Sequence, residues 1–272
     1  MDVDALAERL LLDLASTPHP SRRSTPFLLG ISGVQGSGKS TLAAALVQQA
    51  RNFDAVALSL DDVYFTRGER QALARHVHPL FATRGVPGTH DLALLHGTLD
   101  ALATASPMAP ALLPRFDKGQ DDRLPSHQWP RIETPPRLIV LEGWCLGVPP
   151  QADSALPAPI NALERDEDPH GHWRGHVNAQ LAGSYADLWQ RIDRLVLLQA
   201  PSFEVVTRWR EEQETALRQR AAPQAMDAGT LQRFIAHYER LSRHALACLP
   251  ALADVTIALD AERRVQHIAS SA

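Results

Sequence analysis

The sequence predicts an α/β fold, a three-layer α/β/α sandwich built on a five-stranded parallel sheet. Three observations carry that expectation. Five short apolar runs, at residues 27–32, 55–60, 137–141, 195–199 and 255–259, are continuous rather than alternating, the pattern of strands covered on both faces. Helical patterns separate them, and strands alternating with helices favour parallel pairing through right-handed crossovers. A glycine-rich turn joins the first run to the helix after it, where open parallel sheets bind anions.

Taken in order, Leu6, Leu10 and Leu14 recur at helical spacing within residues 5–14, so an amphipathic helix is expected first. Residues 17–26 (TPHPSRRSTP) are polar and rich in Pro and Ser, a connector. A helix at 41–50 follows the first strand. The intervals 61–136 and 143–190 are too long for simple crossovers. They read as insertions at the carboxyl ends of the strands, where loops build the site of an open sheet. Within them, 104–114 and 147–159 are rich in Ala and Pro and read as loops. Phe203, Val206, Trp209 and Leu217 mark the apolar face of a helix over 203–218, ahead of the fifth run. No internal repeat occurs, and the chain reads as one domain, 1–272, with a helix and connector over 1–25.

Hydrophobic residues make up 44% of the chain and charged residues 21%, the composition of an ordinary globular protein rather than a disordered one. The net charge of −4 argues against a protein that coats nucleic acid. Cys145 and Cys248 stand far apart without a CxxC partner, so no disulfide framework is expected and a reducing compartment fits. The first residues, MDVDALAERLLLDLA, lack the basic start and unbroken apolar core of a signal peptide. No run reaches the roughly 18 apolar residues of a membrane span. A cytoplasmic location and no membrane or nucleic-acid partner are the expectation.

Residues 33–40, GVQGSGKS, satisfy the phosphate-loop pattern G-x-x-x-x-G-K-[ST] in full. Glycines at 36 and 38 let backbone N–H groups turn inward around an anion, Lys39 supplies a compact charge for terminal phosphates, and Ser40 a hydroxyl for Mg²⁺. The helix that follows adds its N-terminal dipole. The second strand runs into LSLDDVYFT, whose Asp61 stands where a carboxylate takes the proton of a substrate hydroxyl. Its bland alternative is that Asp61 and Asp62 only cap a turn. The third strand runs into VLEGW, whose Glu142 stands where a carboxylate holds a Mg²⁺ shell, with a purely structural buried carboxylate as the alternative.

Together GVQGSGKS, LSLDDVYFT and LEGW resemble the P-loop kinases that include uridine kinase, phosphoribulokinase and pantothenate kinase. The segments RGVPGTHDL (84–92), PRFDKGQDDR (114–123), NALE (161–164) and LQAPSFEVVTRWREEQ (198–213) narrow the likeness to the D-glycerate 3-kinase-like group, over roughly residues 25–260. The resemblance implies a P-loop NTPase-type sandwich with acceptor-site insertions and a lid, using ATP and Mg²⁺. It implies that Gly33, Val34, Gln35, Gly36, Ser37, Gly38, Lys39, Ser40 and Thr41 hold the nucleotide phosphates. It makes Asp61 the base, sets Ser40 and Glu142 on the metal, and puts Asp62, Tyr64, His90 and Asp91 beside the acceptor. Arg208 and Arg210 fall on the helix that carries lid arginines in such kinases, where guanidinium groups stabilise the charge of the transferred phosphoryl. A solvated helix surface, with Glu214 and Arg218 as an i,i+4 pair, is the alternative there. Arg115, Lys118 and Arg123 are candidates to bind an anionic acceptor, against a charged surface loop.

Two further signals are set aside. His170, His172 and His176 suggest a transition-metal site, but Mg²⁺ in phosphoryl transfer prefers oxygen ligands. Trp173, Val177, Leu181, Tyr185 and Trp189 lie at helical spacing, which reads as core packing. The resulting expectation is ATP- and Mg²⁺-dependent phosphoryl transfer to a hydroxyl of a small metabolite, with D-glycerate as the leading acceptor. A nucleoside, pantothenate or another hydroxy acid stays open as acceptor, as does a non-catalytic ATP-binding switch. The absence of N-K-x-D and LSGGQ from the sequence favours the transferase.

Overall fold

A computed structural model describes residues 2–16, 25–50, 54–219 and 226–271. The expected connector at 17–26 falls largely outside the described residues, as do the side chains of Leu217 and Arg218. The chain runs α1 (Val3–Ser16), β1 (Phe27–Gly33), α2 (Lys39–Gln49), β2 (Ala55–Ser59), α3 (Arg67–His76) and α4 (Leu92–Ala103). Four two-residue strands follow: β3 (Ala111–Leu112), β4 (Phe116–Asp117), β5 (Asp122–Arg123) and β6 (Arg131–Ile132). Then come β7 (Leu138–Gly143), α5 (Ala162–Glu167), α6 (His172–Ala182), α7 (Ser184–Trp189), β8 (Arg194–Gln199), α8 (Glu204–Gln219), α9 (Ala228–Cys248), β9 (Val255–Leu259) and β10 (Val265–Ser270).

The central sheet has the order β10-β9-β8-β1-β7-β2. Its five parallel strands are the five apolar runs, while β10 pairs antiparallel with β9 as an added edge. Because side chains alternate across a strand, both halves of each apolar run must be covered. Leu28, Leu58, Ile139, Leu141, Leu195 and Leu197 pack against α4, α6, α7 and α9 on one face. Leu29, Ile31, Leu138, Val140, Val196, Leu198 and Ile257 pack against α1, α2 and α8 on the other. The sixth strand escaped the sequence reading because VQHIAS is largely exposed and has no continuous apolar run.

The register decides what sits at the carboxyl edge. Glu142 pairs with Ile31 on one side and Ser59 on the other, so the phosphate loop, Glu142 and the turn after β2 emerge next to one another. The first of the two long intervals supplies much of the wall beside this edge. Residues 61–136 form α3, α4 and two small antiparallel ladders, β3·β6 and β4·β5. Helix α3 starts on a capping box of Thr66 and Glu69, and α4 starts on the Asp91 side chain. The NALE segment is likewise a helix start: Asn161 caps α5, and its Glu164 is buried against Arg240. Trp173, Val177, Leu181 and Tyr185 are core residues, as their spacing requires.

Candidate active site

Strand β1 ends at Gly33 and the chain turns through Gly36 and Gly38, both at positive φ (81° and 94°), before α2 begins at Lys39. Gly36 is doubly constrained: a Cβ there would meet the Trp209 Cβ at 2.8 Å, so helix α8 leans directly on the loop. Lys39 is buried and its Nζ donates to the Val34 carbonyl at 3.1 Å, inside the loop. Burial lowers its pKa, against the upward pull of Glu142 and Asp61. Ser37 Oγ and both amide atoms of Gln35 are buried with no hydrogen-bond partner among the described residues. These orphaned groups, with the inward backbone, fit a polyphosphate.

Ser40 Oγ donates to Glu142 Oε1 at 3.0 Å, bringing the two expected metal ligands together. A hydroxyl and a carboxylate at the mouth of the loop are the oxygen donors Mg²⁺ takes alongside phosphates and water. Among the described residues no group of three or more His, Cys, Asp or Glu side chains stands where it could hold a metal by itself.

Across from the loop, the single turn Leu60–Val63 is capped by Ser59, whose Oγ accepts from the Asp61 N–H. Asp61 is therefore spared the capping role, and its carboxylate faces the cavity. Its Oδ1 accepts from the Tyr64 hydroxyl at 2.7 Å and its Oδ2 from Lys118 Nζ at 2.6 Å. Burial pushes its pKa up, but Lys118 and the Tyr64 hydrogen bond outweigh that and hold the carboxyl well below the usual range. Tyr64 stacks on His90 with ring centroids 4.6 Å apart, and His90 Nδ1 shares a 2.6 Å hydrogen bond with the Tyr185 hydroxyl. Burial lowers the His90 pKa to about 3, so the imidazole is neutral and buttresses Tyr64 from behind.

The open space between these groups is a cavity of about 1050 Å³. Of the expected residues, Gln35, Gly36, Lys39, Ser40, Asp61, Tyr64, Lys118, Glu142 and Arg210 line it. The others lie outside its lining. Asp62 accepts from the Phe116 N–H at 3.2 Å and from Arg115 at 3.3 Å, tying the β4·β5 hairpin to the strand end. Asp91 caps α4 and pairs with Arg123 at 2.8 Å, and Arg123 also reaches Glu69. Arg208 turns away to the Ala261 carbonyl and Glu262, whereas Arg210 pairs with the buried Glu214 at 2.8 Å over the Phe234 ring. Residues two apart are about 200° apart around a helix, so the two arginines cannot share a face.

Several groups were missed from the sequence. Arg84, Asp121 and Tyr238 line the cavity. Asp121 receives both Arg84 and Arg70. From the hairpin after β9, Arg263 donates to the Gly36 carbonyl at 2.7 Å and lies over Trp209. Only the positions of Arg84 and Asp121, inside the quoted segments 84–92 and 114–123, offered a signal. A single arginine in a turn has no pattern to find.

A strand, glycine loop and helix that cradle phosphate, faced by a carboxylate and a lysine at the carboxyl edge of a parallel sheet, define a P-loop phosphotransferase. Comparison with known proteins agrees. The chain is 36% identical over 250 residues to the uncharacterized kinase mug58 of Schizosaccharomyces pombe, spanning 87% of this chain and 86% of that protein. It is 36% identical over 205 residues to the chloroplastic D-glycerate 3-kinase of Arabidopsis thaliana, spanning 71% of this chain and 42% of that protein. No protein-family model matches. Among solved structures, D-glycerate 3-kinase from Cryptococcus neoformans superposes with a TM-score of 0.78 at 23% identity, covering 99% of both chains. The YGR205w protein superposes with a TM-score of 0.76 at 24% identity, covering 99% of this chain and 98% of that one, and both likenesses show the fold. The chain belongs to the D-glycerate 3-kinase-like group of P-loop kinases and is a small-molecule kinase. Among the described residues no helix is long and apolar enough to cross a membrane.

Proposed function

We propose that this kinase transfers the γ-phosphoryl group of ATP to a hydroxyl of D-glycerate, as a single-domain cytoplasmic enzyme. The observation that carries the reading is Asp61. It is a carboxylate kept ionised, off the capping hydrogen bonds, facing a cavity that also contains the phosphate-loop lysine. The name of the Arabidopsis relative supports glycerate as acceptor.

In this reading the backbone of 33–41 and Lys39 hold the β- and γ-phosphates. Ser40 and Glu142 would hold Mg²⁺, which would supply positive charge to offset that of the phosphates. The acceptor hydroxyl displaces Lys118 from Asp61 Oδ2 and donates its proton there. A bond forms from the hydroxyl oxygen to the γ-phosphorus as the bond from that phosphorus to the β–γ bridging oxygen breaks, and ADP leaves. In a loose transition state the hydroxyl sheds its proton late, so aiming it counts for more than the basicity of the carboxylate. Arg210 and Lys118 lie within reach of the cavity to meet the phosphoryl oxygens.

Release of ADP against a panel of D-glycerate, uridine, pantothenate and other hydroxy acids tests this. D-Glycerate is expected to accelerate ADP release most strongly over the water background. Acceleration by uridine with none by glycerate would move the assignment to a nucleoside.

A further inference from the structure

We propose that Arg84 receives the carboxylate of the acceptor, so that the enzyme selects small hydroxy acids carrying one anionic group beside the hydroxyl. The inference rests on the phosphotransferase reading above and names the residue that sets its acceptor class.

Among the described residues four cationic side chains line the cavity, and three have other work. Lys39 lies within the phosphate loop, Arg210 is held by the buried Glu214, and Lys118 sits on Asp61, at the point where the hydroxyl must arrive. Arg84 is the fourth. Its ion-pair partner, Asp121, is already matched by another arginine. Arg70, whose side chain is 1% exposed, donates to the Asp121 carboxylate at 2.5 Å and to the carbonyls of Phe65 (2.8 Å) and Asp121 (3.0 Å). Two guanidinium groups share the one Asp121 carboxylate, with Asp122 a further carboxylate acting on Arg70, so Arg84 is only partly neutralised. Arg84 spends only Nη1 on Asp121, and among the described residues its Nε and Nη2 have no hydrogen-bond partner. That edge of a guanidinium takes a carboxylate through two parallel hydrogen bonds.

The position of Arg84 is fixed before any ligand arrives. The Tyr238 hydroxyl donates to the Arg84 carbonyl at 3.0 Å, Trp144 Nε1 donates to the Gly85 carbonyl at 2.9 Å, and the Gly85 N–H donates to Thr89 Oγ1 at 3.0 Å. Gly85 is at φ 134°, and a Cβ there would fall 1.9 Å from the Tyr238 hydroxyl, so this close clamp needs glycine. The guanidinium lies 5.4 Å from the Phe116 ring centroid. A receptor held this way loses little freedom on binding. It also shares the space of the reacting pair: Asp61 raises the Lys118 pKa, while Arg84 is a near enough cation to pull it down. The Asp117 carboxylate stands in the same wall and opposes a second anionic group on the acceptor. Arg115 and Arg123, the expected carboxylate binders, are occupied by Asp62, Asp91 and Glu69 instead.

The test compares D-glycerate with glycerol, which keeps the hydroxyls and lacks the carboxylate, by ADP release from the full chain and its Arg84→Gln variant. The wild type is expected to prefer glycerate. In Arg84→Gln the ratio of kcat/KM for glycerate over glycerol falls about 10- to 100-fold, carried by KM, the cost of removing a charged hydrogen-bond partner. Arg84→Lys, which keeps the charge and loses the fork, recovers part of the ratio. A folding defect lowers both substrates alike, so an equal loss on both overturns the proposal. So does a ratio that survives Arg84→Gln and collapses in Arg123→Gln. If the wild type ignores glycerate but phosphorylates another hydroxy acid, the glycerate reading fails and the same ratio is taken for that acid and its alcohol, its collapse supporting Arg84 and its survival overturning it. A wild type that prefers uncharged acceptors overturns the role of Arg84 while leaving the kinase class intact.

Discussion

The phosphate-loop end of the cavity, proposed for the donor, and the opposite end, proposed for the acceptor, are built by different means. That first end is nine consecutive residues whose work is done by the backbone, three glycines at positive φ, one lysine and one hydroxyl. The acceptor end is assembled from side chains at 61–64, 84, 115–123, 144 and 238, held by ion pairs that span up to 57 residues and hydrogen bonds that span up to 154. A backbone cradle depends on residue types at fixed spacing, so it is compact and tolerates little change. A lattice of side-chain pairs can exchange members one at a time, which suits a part that must fit different acceptors.

Substitutions should expose this contrast, with the donor end failing hardest. Lys39→Ala is expected to lower kcat/KM by roughly 10³–10⁵-fold, the range for a cation on the transferred phosphoryl group. Steady-state ADP release checks it, and turnover within tenfold of wild type would remove the lysine from that role. At the junction of the two ends, Asp61→Asn should cut kcat by roughly 10²–10⁴-fold while leaving ATP affinity nearly intact. Equilibrium nucleotide binding beside turnover separates the two effects, and a near-normal rate would take Asp61 out of the mechanism.

Further into the acceptor end the effects become conditional. Asp61 has a depressed pKa in the folded state, so its contribution to stability is complete above the unfolded value of about 3.9 and is lost as pH falls below it toward the folded value. Wild-type kcat/KM should therefore show no acid limb from Asp61 between about pH 5 and 7. Lys118→Ala removes the largest favourable partner and leaves burial to push the carboxyl up, so an acid limb should rise into this range. A pH profile of the variant that matches wild type would show that Lys118 does not set the carboxylate. Least of all, Arg123→Gln should cost about 1 kcal/mol of stability, the worth of a half-buried pair at the hairpin base, with KM for the acceptor changed less than by Arg84→Gln. Urea unfolding midpoints measure that cost.

The same contrast explains what could be read in advance. The five parallel strands were visible because burial on both faces demands continuous apolar runs, and GVQGSGKS because its chemistry is local. Asp61 and Glu142 were visible from their place at strand ends. Among the arginines the sequence could not choose, since Arg84, Arg115 and Arg123 differ only in which carboxylate the fold brings to each. Asp121, Asp62 and Asp91 settle that, and none of those pairings has a sequence period. Strand β10 was hidden for the opposite reason, because an exposed edge needs no apolar pattern.

Gly36 and Trp209 carry a consequence for descent. The close approach is between a would-be Cβ at 36 and the Trp209 Cβ itself, 2.8 Å away, so trimming the indole makes no room. Only glycine at 36 keeps the helix seated, and Arg263 and the Ala261 carbonyl fasten the same tryptophan from the other side. The loop, α8 and the β9–β10 hairpin are therefore inherited as a block: a lineage that changes one must rebuild three. Insertions and exchanges accumulate elsewhere, and new acceptors can evolve in this fold without disturbing how the nucleotide is held.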